Sequence, residues 1–189
     1  MVEKDSGCGC ANDREASQLD LLKGQCGVVY GSGILVTGTT LSMAPHFGLY
    51  AVAATSLLRY LPAKFDGVTA PMLYFGSTYS FFPAHVEDSS LFSVNYLHYG
   101  QPKVRCAAVS CEDPELCPRL RGTSSGHIPR IMQECVGTQV IQRAGEAVVV
   151  TPNAVHFGFN SGHNCAEAIN FAIESWIPYG IVAEICNCL

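Results

Sequence analysis

The chain is predicted to be mainly β, an antiparallel sandwich or barrel with few helices. Three observations predict it. Short runs rich in β-branched and aromatic residues recur along most of the sequence, glycine and proline separate them, and only one stretch shows clear helical spacing. A length of 189 residues, 48% hydrophobic and 14% charged, fits one ordered domain with a sizeable core.

Taken in order, residues 1–22 read as a polar, loose leader in which Cys8 and Cys10 are exposed thiols, and the domain runs from 23 to 189. Residues 27–37 (GVVYGSGILVT) read as extended. In 47–61 (FGLYAVAATSLLRYL), Leu49, Val52, Ala53, Leu57 and Tyr60 recur at helical spacing, and Pro62 closes the helix. Strands are then expected at 71–76, 90–100, 103–110, 146–152, 155–160 and 166–176, with a second helix over 113–120 and a further turn from Pro129. Trp176 is expected in the core, and His46, His98 and His163 read as packing or loop residues.

Composition narrows the function. A formal charge of −5 argues against direct gripping of a nucleic-acid backbone, which needs clustered Lys and Arg, and suits a basic peptide instead. The first twenty residues carry no apolar central run, and no stretch of apolar residues is long enough for a membrane span. Ten cysteines without a secretory signal point to metal ligation or burial in a reducing compartment rather than to disulfides.

The sharpest local feature is His85-Val86-Glu87 ahead of the strand LFSVNYL. On extended chain, residues i and i+2 face the same side, so His85 and Glu87 can reach one metal. His156 lies in a later strand, VHFGFN. Two imidazoles and one carboxylate, leaving open positions, form the facial arrangement of non-haem iron oxygenases; nitrogen and oxygen donors without thiolate favour iron over structural zinc.

The blocks GVTAPMLYFG (67–76), HVEDSSLFSVNYLHYGQPK (85–103) and QRAGEAVVVTPNAVHFGFNSGHNCAEAINFAIESWIPYG (142–180) resemble the jumonji-C (JmjC) histone lysine demethylases, most closely those acting on trimethylated lysines. The resemblance covers roughly 27–188. It implies a double-stranded β-helix of the cupin or jelly-roll type with a few flanking helices, and Fe(II)- and 2-oxoglutarate-dependent oxidation of an N-methyl group on a histone tail, in the nucleus. His85, Glu87 and His156 are implied as iron ligands. Lys103 would pair with the far carboxylate of 2-oxoglutarate, with Tyr30, Asn95 and Phe82 around the same molecule. The methyl-lysine pocket maps onto Gly67, Tyr74, Glu87, Ala168 and Asn170, where oxygen atoms would meet the methylammonium through C–H···O contacts.

The ending IVAEICNC resembles the zinc-binding tail of the same subgroup. Cys186 and Cys188 are implied as zinc ligands, with Cys117 and His127 as the other two and Cys111 or Cys135 as substitutes. Two positions depart from the pattern: Arg105 stands where relatives place an aromatic beside the cosubstrate, and Ala168 replaces a small hydroxyl residue. Alternative functions are a JmjC protein hydroxylase, against which Glu87 leans because hydroxylases more often carry Asp there, and a catalytically silent scaffold.

Overall fold

The computed structural model describes residues 30–35, 48–107 and 138–183. Among these residues nine strands form: β1 Tyr30–Leu35, β2 Met72–Gly76, β3 Phe81–His85, β4 Phe92–Gly100, β5 Lys103–Ala107, β6 Thr138–Gln142, β7 Ala147–Val150, β8 His156–Asn160 and β9 Asn164–Phe171. Two short helices, α1 Tyr50–Thr55 and α2 Ile177–Val182, flank them. The expected leader 1–22, the helix over 113–120 and the turn from Pro129 lie outside the described residues.

The strands make two antiparallel sheets, one of five in the order β1-β2-β9-β4-β7 and one of four in the order β3-β8-β5-β6. This is the antiparallel jelly-roll architecture expected from the sequence. The period-two rule explains which side chains go where. On β9, Cys165 packs with Leu73 and Tyr50, Glu167 accepts the Leu49 amide, and Ile169 packs with Ala53 and Val94. The alternate residues Ala168 and Asn170 face the cavity between the sheets.

α1 covers the outer face of the larger sheet. Leu49 and Val52 join Ala53, Val94 and Ile169, and Phe92 stacks on Phe171 with ring centroids 5.3 Å apart. Each aliphatic side chain fully buried here contributes about 1.5–3 kcal/mol. Glu167, completely buried, accepts from Leu49 N at 2.8 Å and meets His98 Nε2 at 2.8 Å, so the carboxylate is satisfied from two sides.

The helix expected over 47–61 is broken at Ser56. Its backbone is extended (φ −66°, ψ 146°), and a 3-10 turn over Leu57–Tyr60 follows. The buried Ser56 hydroxyl accepts from Ala172 N at 3.0 Å and from Leu58 N at 3.2 Å, tying the chain to the end of β9 in place of another helical turn.

Three other expectations change. β9 begins at Asn164 and ends at Phe171, after which a 3-10 turn spans Glu174–Trp176. Trp176 is half-buried rather than core, and its indole donates to Ser89 O at 3.1 Å. Strands β3 and β6 and helix α2 were not foreseen: Pro83 disguises β3, β6 is an edge strand that exposes Val140 and Ile141, and α2 exposes Ile181 and Val182.

Candidate metal and cosubstrate site

β3 ends on His85 and β8 begins on His156, and the two residues pair directly across the sheet. Their ring centroids lie 4.2 Å apart. Glu87 follows on extended chain (φ −60°, ψ 144°) and turns back toward them, with Oε1 3.4 Å from His156 Nε2. One donor atom from each of His85, Glu87 and His156 falls within 4.8 Å of the others. The i, i+2 reasoning from the sequence thus matches the geometry, with the partner histidine delivered by strand register.

Burial alone would raise the Glu87 pKa. The hydrogen bond and charge of His156, the charge of His85 and a hydrogen bond from Asn170 outweigh it, holding the carboxyl at about 2. Glu87 is therefore an anion throughout the neutral range, as a metal-binding carboxylate must be. His156 Nδ1 faces Ala154 O at 3.1 Å, which leaves Nε2 directed at the cluster.

The cluster opens into a cavity of about 150 Å³ lined by both sheets. Every residue that the resemblance assigned to cosubstrate or substrate lines it. Tyr30, Phe82, Asn95 and Lys103 are there, as are Gly67, Tyr74, Ala168 and Asn170. Lys103 is almost fully buried on β5, and its ammonium donates to Asn160 Oδ1 at 2.7 Å. Asn160 is itself fixed by Asn164 Nδ2 at 2.9 Å and by donation to Ser80 Oγ at 2.8 Å. Burial, reinforced by Arg105 and opposed by Cys165, pulls the Lys103 pKa down to about 7.

Tyr30 and Tyr74 approach with ring centroids 6.3 Å apart. Burial raises both hydroxyl pKa values, helped by Tyr74 in the case of Tyr30 and by Glu87 in the case of Tyr74, so both stay neutral hydrogen-bonding groups. Gly67 sits at φ +76°, a conformation glycine adopts freely, and its carbonyl accepts from Asn170 N at 2.7 Å. That contact holds the Gly67 loop against the end of β9.

The family model described as "JmjC domain, hydroxylase" matches residues 72–171. The chain belongs to the JmjC domain family. It is 40% identical over 144 residues to "Lysine-specific demethylase 4D" of Rattus norvegicus, covering 65% of this chain and 28% of that protein. It is 37% identical over 154 residues to "Putative lysine-specific demethylase JMJ16" of Arabidopsis thaliana (70% and 12%). Identity to "Lysine-specific demethylase 5D" of Pan troglodytes is 34% over 182 residues (80% and 12%). The aligned part of the JmjC chain thus corresponds to about a quarter of the rat protein and an eighth of the other two.

The donor set of this JmjC site fits Fe(II): two imidazole nitrogens and one carboxylate gathered on one side. The cavity also fits an anionic cosubstrate. Among the described residues, no carboxylate pairs with Lys103, and the buried Asn95 Oδ1 has no hydrogen-bond partner. Three side chains of the site were missed at the sequence level. Gln142, fully buried, donates to Asn95 O and Glu146 O and accepts from Arg105 Nε. Asn160 carries Lys103, and Ser93 lines the wall. Counting by twos from His156 along β8 reaches Gly158 and Asn160, so that signal was available.

The implied zinc ligands Cys117, His127, Cys186 and Cys188 lie outside the described residues, as do Cys111, Cys135 and His46. Of the remaining histidines, His98 packs against Glu167 and His163 is exposed in the β8–β9 turn. Among the described residues, no helix is long and apolar enough to cross a membrane.

Proposed function

We propose that this chain is the catalytic core of an Fe(II)- and 2-oxoglutarate-dependent lysine demethylase acting on methylated histone tails in the nucleus. The observation that carries the reading is one cavity in which His85, Glu87 and His156 converge while Lys103 lines the same wall. The relatives named as lysine-specific demethylases support the substrate class.

In this reading His85, Glu87 and His156 hold the metal from one side and leave the other open to ligands. Lys103 binds the far carboxylate of 2-oxoglutarate, with Asn95 and the Tyr30 hydroxyl supplying neutral contacts and Phe82 packing along its chain. Gly67, Tyr74, Ala168 and Asn170 shape the space for the N-methyl group, and the chain's own contribution is to orient that group toward the metal. When bound, iron and 2-oxoglutarate would supply the chemistry by which O2 oxidises the N-methyl group, which leaves as formaldehyde while 2-oxoglutarate becomes succinate and CO2. Cys117, His127, Cys186 and Cys188 are proposed to hold a structural zinc, which metal analysis of the purified chain would count.

The test is formaldehyde and succinate release from trimethylated histone peptides with Fe(II), 2-oxoglutarate and ascorbate, beside His156→Ala. Formaldehyde that vanishes in the variant supports demethylation. A peptide heavier by one oxygen, without formaldehyde, identifies the hydroxylase instead. Turnover of neither kind by iron-loaded protein across histone peptides favours the scaffold.

A further inference from the structure

Lys103 and Arg105 are two residues apart on β5, and both line the cavity. Lys103 has a neutral partner, Asn160. The partners of Arg105 are neutral as well: Nε donates to Gln142 Oε1 at 2.8 Å, and the guanidinium carbon lies 5.1 Å from the centre of the Phe82 ring. A guanidinium carries five N–H groups, and Gln142 takes one. Among the described residues, no carboxylate forms an ion pair with Arg105.

The placement of Arg105 is built into the strand register. Phe82 pairs with Gly158 on one side of β8, and Arg105 pairs with Gly158 on the other. A Cβ at Gly158 would lie 2.6 Å from Phe82 Cζ. Glycine between them lets the ring and the guanidinium meet across the strand, while Gln142 holds Nε from β6. Burial lowers the Arg105 pKa to about 10, with Tyr30 and Glu87 opposing the shift, so it is a cation at neutral pH.

The charge of the cavity is then unbalanced for a dicarboxylate. With Lys103 protonated, two cations face one carboxylate, Glu87, and a divalent metal brings the total to three positive charges. A 2-oxoglutarate dianion neutralises two.

We infer that Arg105 is a second carboxylate-binding cation of this cavity, aimed by Gln142 and Phe82, and that it lets the site hold tricarboxylate anions in competition with 2-oxoglutarate. The inference rests on the oxo-acid site proposed above and names a further class of anion that the same site takes. One charge-assisted contact is worth roughly tenfold to a hundredfold in affinity.

The test compares glutarate with propane-1,2,3-tricarboxylate, which differ by one carboxylate on the central carbon. Each is titrated by calorimetry against Mn(II)-loaded protein carrying 2-oxoglutarate, and bound metal is assayed afterwards. The expected result is displacement by the tricarboxylate about tenfold better than by glutarate, with the metal retained. That advantage should disappear in Arg105→Gln and persist in part in Arg105→Lys. Equal displacement by the two anions in the wild type overturns the inference, and this comparison stands even if the variants fail to fold. An advantage unchanged in Arg105→Gln, or one that comes from stripping the metal, overturns it as well. Failure of the wild type to bind 2-oxoglutarate at all removes the oxo-acid reading beneath it.

Discussion

Asn170 donates its side-chain amide to Glu87 Oε2 at 3.1 Å, the oxygen opposite the one that approaches His156. The sequence resemblance implied a place for Asn170 in the substrate pocket; in the structure it also orients the carboxylate of the candidate metal cluster. Such outer contacts typically carry tenfold to a hundredfold of metal affinity. Asn170→Ala should therefore weaken Mn(II) binding by about that factor while the unfolding temperature of the metal-free protein moves little. Unchanged metal affinity would leave Asn170 as a substrate contact only.

Lys103 gives a pH dependence with a definite sign. Its ammonium faces Asn160, Arg105 and Cys165, and its pKa in the free protein is about 7. A bound dicarboxylate favours the protonated form, so the pKa rises on binding. Between the free and bound values, binding takes up a proton, and affinity falls by up to about tenfold per pH unit as pH rises. Affinity for 2-oxoglutarate should be highest below pH 7 and decline above it, with proton uptake visible as a buffer-dependent heat. A flat profile from pH 6.5 to 9 would mean that Lys103 is not the anchor.

The sequence revealed strands buried on both faces, such as β4 and β9, because such burial leaves a strong apolar signal in Val94, Leu97, Ala166 and Ile169. It pointed to the cluster of His85, Glu87 and His156 because two of the three residues are two apart on extended chain. It did not reveal β6, whose role is to present Gln142 opposite Lys103 at the sheet edge. Nor did it reveal that a serine would end the first helix. Both depend on partners distant in sequence, Asn95 for Gln142 and Ala172 for Ser56. Local pattern carries no record of such pairings.

Ser56 makes that long-range dependence measurable. Ser56 is 1% exposed, and its hydroxyl is the hydrogen-bond partner of Ala172 N. Ser56→Ala leaves a buried amide unpaired at an expected cost of about 1–3 kcal/mol. The melting temperature should fall by ~2–4 °C for each kcal/mol. If it does not fall, water replaces the hydroxyl, and the helix break has another cause.

Gly158→Ala probes structure and site together. β8 lies between β3 and β5, with Phe82 and Arg105 in register on either side of Gly158. A methyl group here would meet both the Phe82 ring and the Val104 carbonyl, and the backbone oxygen cannot rotate away as a flexible side chain could. Overpacking of this kind costs about 1–3 kcal/mol. The ring must also move, taking with it the surface over which Arg105 lies. Gly158→Ala should therefore lower the melting temperature and weaken 2-oxoglutarate binding to the Mn(II)-loaded protein, while His85, Glu87 and His156 still bind Mn(II). Measuring the three quantities on one preparation separates the causes: lost stability with intact cosubstrate affinity would assign Gly158 to sheet packing alone. Weakened affinity for both metal and cosubstrate would mean that the strain reaches His156, two residues away on the same strand.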